Sequence, residues 1–286
     1  MGVRNLAGAG FRLGRVITTG CSVLGHEFVA FCVIYVLCGI PIIAGFFVIV
    51  GAVLLAGHDI STQTPLYVVL AAVAWFLESL LVQSAISFRT FRRLCGETVG
   101  IRRCIARALA VLPRVFGAML LSYAGAVAVV LGAALIATIP MGGLFFLPSY
   151  TSTPSTGAAI GAFAIMLVGG ALMILLTAIL WVVVPVVVIE RAGPIAALGR
   201  SYRLVSEHRW VVFALMLVLG IADTGLFPLE QRLLADTLGG IGQAATFNLL
   251  FVFITAANAV LATVGYHDLR AEKEGVGEGE VGHVFD

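Results

Sequence analysis

The sequence predicts an all-α polytopic membrane protein with six transmembrane helices and amphipathic interfacial helices. Three observations carry that reading. The 286-residue chain is 60% hydrophobic and only 11% charged, where a soluble domain has about 25% charged residues. Its apolar runs are long: residues 28–57 hold no charge, and none lies between Arg114 and Glu190. About 20 mainly apolar residues cross a bilayer as a helix. Finally, all of the 17 Lys and Arg residues except Arg232 fall in alternate gaps between these runs. Loops retained in the cytoplasm keep Lys and Arg, while translocated loops lose them.

In chain order the spans are 28–56, 65–88, 115–139, 158–184, 211–227 and 244–266. Pro41 is expected to kink the first, because proline removes a backbone donor. The fifth is short and is interrupted by Asp223. Arg4, Arg12 and Arg15 precede the first span, and the 58–64 gap has no basic residue. Arg89, Arg92, Arg93, Arg102, Arg103, Arg107 and Arg114 follow the second span, and the 140–157 gap is again empty. Arg191, Arg200, Arg203 and Arg209 follow the fourth, and Arg270 and Lys273 the sixth. Both termini are therefore expected in the cytoplasm.

The basic segments have helical periodicity. Segments 10–26, 100–114 and 194–209 are each long enough for a helix in the headgroup region. In the second, Ile101, Ile105, Ala108, Leu109 and Leu112 share a face. In the third, Ile195, Leu198, Tyr202 and Val205 recur at helical spacing, with Arg200 and Arg203 elsewhere. Each segment opens a span, which predicts a surface helix plus a hairpin repeated three times. The membrane domain is read as residues 1–270. Residues 271–286 form a Gly- and Glu-rich acidic tail that is expected to be disordered and cytoplasmic. The 142–157 gap reads as an irregular loop, and 229–236 as a short surface helix. Small residues Ala118, Ser122, Gly125 and Gly132 on span three, and Gly157, Gly161 and Ala164 on span four, favour close helix contact.

A net charge of +2 gives no nucleic-acid footprint. Five cysteines without a CxxC pair predict neither a disulfide framework nor a zinc site. The chain has no HExxH, GxSxG or P-loop. Gly277, Gly279 and Gly282 spell GxGxxG in the acidic tail, without the preceding strand a dinucleotide site needs. No metal, cofactor or enzymatic activity is expected.

Glu78 is the sharpest candidate for a functional group, because it stands near the middle of the second span. An acid at a helix centre costs about 2.5–3.5 kcal/mol on insertion scales. Such a group faces the bundle or water, where it holds a proton or cation or bonds a neighbouring helix. Gln83, Asn248, Thr255 and Asn258 are further intramembrane polar candidates, with helix-joining hydrogen bonds as the structural reading. Arg102, Arg103, Arg107, Arg200 and Arg203 are the lipid-headgroup candidates.

Pro185, Glu190, Gly193, Ala197, Arg200-Ser201, Leu204 and Trp210 form a pattern that resembles bacterial proteins carrying the membrane domain associated with glycerophosphodiester phosphodiesterases. Tyr266-His267-Asp268-Leu269-Arg270, followed by Lys273-Glu274-Gly275, resembles the ending of such proteins, with His267 in place of a second aromatic. The resemblance implies a multi-helix module of the bacterial inner membrane without the soluble hydrolase domain, and no catalytic residues. The expected function is that of a non-enzymatic membrane protein that interacts with lipid, organises the membrane or acts as a scaffold. Its partners would be anionic membrane lipids, with a protein partner or a second copy of the chain as further candidates. The alternatives are a transporter or channel component with a polar site around Glu78, and an intramembrane lipid enzyme.

Overall fold

The computed structural model describes residues 13–55, 60–138 and 156–274. Among them every regular element is a helix: α1 Leu13–Leu55, α2 Ile60–Leu94, α3 Ile101–Ala137, α4 Thr156–Ile179, α5 Val183–Glu190, α6 Pro194–Val205 and α7 Arg209–Glu274. Five are long and apolar enough to cross a membrane, or six when the bent pair Pro194–Val205 and Arg209–Ile221 counts as one span. The all-α polytopic class read from the sequence is the class observed.

Paired contacts give the course of the chain. Along α1 and α7, Arg15 meets Asp268, Gly20 lies against Leu261, Phe28 against Phe253 and Tyr35 against Phe251. Rising numbers in one helix match falling numbers in the other, so they are antiparallel. Glu27 with Arg89, and Gly39 with Glu78, set α1 and α2 antiparallel in the same way. Phe88 with Arg107, and Phe76 with Tyr123, do so for α2 and α3. Gly125 with Leu176, and Gly169 with Ala133, do so for α3 and α4. A Cβ at position 169 would overlap the Ala133 Cβ, so the tight crossing of α3 and α4 falls there. At Gly157, one of the positions expected to make it, an added Cβ would meet nothing within 4 Å.

The helical run α7 has 66 residues. Straight, it would extend ~99 Å at 1.5 Å per residue. Yet His208 Nε2, just before its start, lies 3.7 Å from Glu272 Oε2 near its end. Lys273 Nζ lies 3.1 Å from Glu207 Oε1. The run therefore doubles back, and its arms Arg209–Ile221 and Thr246–Glu274 correspond to the fifth and sixth expected spans. Helix also covers 229–236, the expected surface helix. The side chain of Asp223, the 142–155 part of the expected loop and residues 275–286 of the tail lie outside the described residues.

The arginines whose side chains are described gather at one end of the bundle, and so do both ends of the described chain. The close-packed seams concentrate toward this basic end. On α1, Val16, Gly20, Val23, Glu27, Phe31, Ile34 and Cys38 are buried at steps of three or four, the rhythm of a helix seam. On α3 the same rhythm runs Cys104, Ala108, Val111, Val115, Ala118. Beyond Cys38, no described side chain of α1 is buried. In α2 nothing described before Glu78 is buried, whereas residues 80–91 are buried nearly all round.

Two of the three expected surface helices are not separate elements. The described part of segment 10–26, from Leu13, runs into its span as α1, and 101–114 into its span as α3, with Pro41 and Pro113 inside unbroken helices. Only the third, α6, is set off, at 104° to the arm Arg209–Ile221. The acidic tail also begins later than expected: α7 is helical through Glu274, which pairs with Arg200 and Arg270.

The break between α4 and α5 has a local cause. Pro185 has no N–H to offer the Trp181 carbonyl, so the ladder is already interrupted there. The Val183 N–H bonds the Leu180 carbonyl at 3.0 Å, which leaves the Ile179 carbonyl without its helical donor. The buried Ser201 of α6 supplies one, its Oγ donating to Ile179 O at 2.7 Å. Ser201→Ala is expected to cost about 1–3 kcal/mol by leaving that carbonyl unsatisfied. Thermal unfolding of the variant in detergent measures it, and an unchanged melting temperature would contradict the assignment.

Candidate functional site

The polar groups at the basic end sort into a closed clasp and an open patch. Glu27 is 7% exposed on α1 and faces two arginines of α2. Arg89 donates to it through Nε at 2.7 Å and Nη2 at 2.6 Å, and Arg93 Nη1 lies 2.7 Å away. Arg89 Nη1 also donates to the Val99 carbonyl at 2.7 Å, which holds the α2–α3 connection. A second knot joins α5, α6 and α7. The fully buried Tyr266 donates its hydroxyl to Glu190 Oε1 at 2.7 Å. Arg200 Nε reaches Glu190 at 3.2 Å, and its Nη2 bonds Glu274. Arg270 Nη1 donates to the Tyr266 oxygen at 3.3 Å and its Nε to Glu274 Oε2 at 2.7 Å. Burial alone would raise the Glu274 carboxyl, but the hydrogen bonds from Arg200 and Arg270 outweigh it and hold its pKa down.

These contacts reassign one headgroup candidate. Arg200 is spent on Glu190 and Glu274 and faces the interior of the knot. Arg102, Arg103 and Arg203 are exposed, as a headgroup role requires. Arg107 is half-buried, and its Nε and Nη2 donate to the Val188 carbonyl at 3.2 and 2.7 Å. Sequence reading gave no site role to Glu27, nor to Glu190 and Tyr266, which it named only within the resembling stretches. The available signal was an isolated acid in or beside an arginine-rich segment, a placement that ion pairing explains. The two stretches on which the family resemblance rests meet in this knot, through Glu190, Arg200, Tyr266, Arg270 and Glu274.

Helix α6 has three faces. Ala197, Ser201, Leu204 and Val205 are buried against the bundle. Ile195 is 78% and Tyr202 54% exposed, and neighbouring Trp210 is 64% exposed. The expected apolar face is therefore split: Val205 packs inward while Ile195 and Tyr202 look out. Arg203 and Arg209 are exposed alongside. Pro194 anchors the start of α6 on α3, its Cγ 3.0 Å from where a Cβ on Gly117 would stand.

Glu78 is buried at 6% exposure between α1 and α2. Its Oε1 lies 2.5 Å from the place a Cβ on Gly39 would take, and it has no hydrogen-bond partner among the described residues. The Phe251 ring touches Tyr35 and Trp75, so α7 closes over the same level of the bundle. Asn248 is exposed, Gln83 is half-buried and Thr255 is buried. The Asn258 Nδ2 donates back to the Ile254 carbonyl of its own helix at 3.1 Å. Glu78→Gln keeps the shape and removes the charge, so it is expected to leave stability unchanged or raised. A loss above about 1 kcal/mol in thermal unfolding would contradict this enclosed setting.

Among the described residues no group of three His, Cys, Asp or Glu could hold a metal ion. Comparison of the chain with protein-family models, curated proteins and solved structures gave no match.

Proposed function

We propose that this is a non-enzymatic protein of the bacterial inner membrane that engages anionic lipid at its basic, cytoplasmic end, with both termini on that side. The geometry of α6 carries the reading. Helix α6 stands at 104° to Arg209–Ile221, and with that arm read as the crossing part of the pair, α6 lies close to the membrane plane. With its inner face packed on the bundle, its outer edge presents Ile195, Tyr202 and then Trp210, flanked by Arg203 and Arg209. Aromatic rings favour the membrane–water interface, and basic residues beside it attract anionic headgroups. The closed surroundings of Glu78 support a packing role over a conduction path, and the clasp supports a framework over a catalytic centre. The resemblance to phosphodiesterase-associated membrane modules belongs to the same proposal.

The test is the depth of Trp210. With Trp75 and Trp181 replaced by Phe, the reconstituted protein should be quenched more by lipid brominated near the headgroup end of its acyl chain than by lipid brominated near the methyl end. It should also be quenched more by brominated anionic lipid than by brominated zwitterionic lipid. Fluorescence indifferent to both would refute the reading.

A further inference from the structure

Two arginines outside the clasp reach the turn after α5. Arg107 donates twice to the Val188 carbonyl, and Arg114 Nη1 donates to the Arg191 carbonyl at 3.2 Å. Arg191 itself caps α5 with φ 56° and ψ 25°, a left-handed conformation. It is the only described non-glycine residue with positive φ. That conformation costs about 1 kcal/mol or more in a residue with a Cβ, and such costs cluster where a side chain has a task. Glycine would hold the same cap without that cost.

The charge is not balanced. Among the described residues no carboxylate lies within ion-pairing distance of Arg107, Arg114 or Arg191, while Glu97 answers Arg92 and Glu190 turns to Arg200 and Tyr266. The C-terminus of α5 offers only about half a negative charge, against three guanidiniums. Burial, followed by the repulsion of Arg191, Arg92 and Arg114, lowers the pKa of Arg107. Exposed Arg102 and Arg103 stand one to two turns before Arg107 on α3 and extend the positive field. Guanidiniums held on neighbouring carbonyls of one turn, without a carboxylate partner among the described residues, suit the oxygens of a phosphate, which guanidinium binds in a bidentate manner.

The geometry points to a phosphate-binding site formed by Arg107, Arg114 and Arg191 at the α3–α5 junction. It rests on the proposed reading in placing this turn at headgroup depth. The ligand is a phosphate group, carried by an anionic phospholipid or free in solution.

Two substitutions test it without touching the buried contacts of Arg107. Arg191→Gly removes a charge and relieves the left-handed backbone, so the delipidated variant should melt at or above the wild-type temperature. Arg114→Gln removes a second charge. Melting is followed in phosphatidylcholine nanodiscs, with phosphatidylglycerol or inorganic phosphate titrated in. Stabilisation of the wild type by phosphatidylglycerol alone identifies a lipid headgroup. Stabilisation by inorganic phosphate in phosphatidylcholine identifies a free ligand. In either case each substitution should weaken the apparent affinity about fivefold, and the double variant about 25-fold. No stabilisation of the wild type by either probe overturns the site. So does equal stabilisation of wild type and double variant. Trp210 quenching is independent of these residues, so failure here with quenching intact rejects the site and leaves the proposed function standing.

Discussion

Glu27→Gln is expected to destabilise the protein by about 3–5 kcal/mol, the cost of breaking a buried ion pair from one side. Glu27 is 7% exposed and accepts from both Arg89 and Arg93. The substitution preserves volume and one oxygen, so the loss reports charge and not packing. It leaves Arg89 with a guanidinium whose side chain is only 19% exposed. The Val99 carbonyl, its other partner, does not neutralise it. In the double variant Glu27→Gln with Arg89→Met, no buried charge is stranded and part of the loss should return. Unfolding of the four proteins in detergent gives the coupling. A single-variant loss below about 1 kcal/mol would place this pair with weak surface bridges.

Tyr266 gives the second large effect, and its two functions separate cleanly. Tyr266→Ala removes a fully buried ring that meets Phe91 at 6.2 Å. A loss of about 3–5 kcal/mol is expected for an aromatic side chain truncated in a packed core. Tyr266→Phe keeps the ring and deletes the hydroxyl that donates to Glu190 and accepts from Arg270. That change should cost about 1.5–3 kcal/mol, the range for a hydrogen bond to a charged group. Arg200 still holds Glu190 in the Phe variant, so its local fold should persist. If Phe and Ala proved equally damaging, the hydroxyl would be the dominant contribution and the packing argument would fail.

Span positions were legible because hydropathy and charge act locally along the chain. The alternation of arginines foretold the common end at which Arg15, Arg89, Arg200 and Arg270 now meet. Helix continuity was not legible. Pro113 sits inside α3 without ending it, and a charged stretch can extend a span as readily as leave it. Periodicity identified the apolar positions of α6 but not what each would meet. Val205 met the bundle, while Ile195 and Tyr202 did not. Arg200 was read as a headgroup ligand because its partners are remote: Glu274 lies 74 residues away in sequence. The strain at Arg191 had no sequence signal, since any residue type can be forced into a helix cap by its surroundings.

The lopsided packing of the bundle means that the two leaflets meet different objects. Beside the arginines, acyl chains surround a closely fitted cylinder stapled by ion pairs. In the opposite leaflet, the far stretches of α1 and α2 bury none of their described side chains, while α3 and α4 still meet closely at Ala133 and Gly169. Lateral pressure or thinning in that leaflet therefore acts on α1 and α2 as loosely joined rods, which can splay or close while the stapled half keeps its shape.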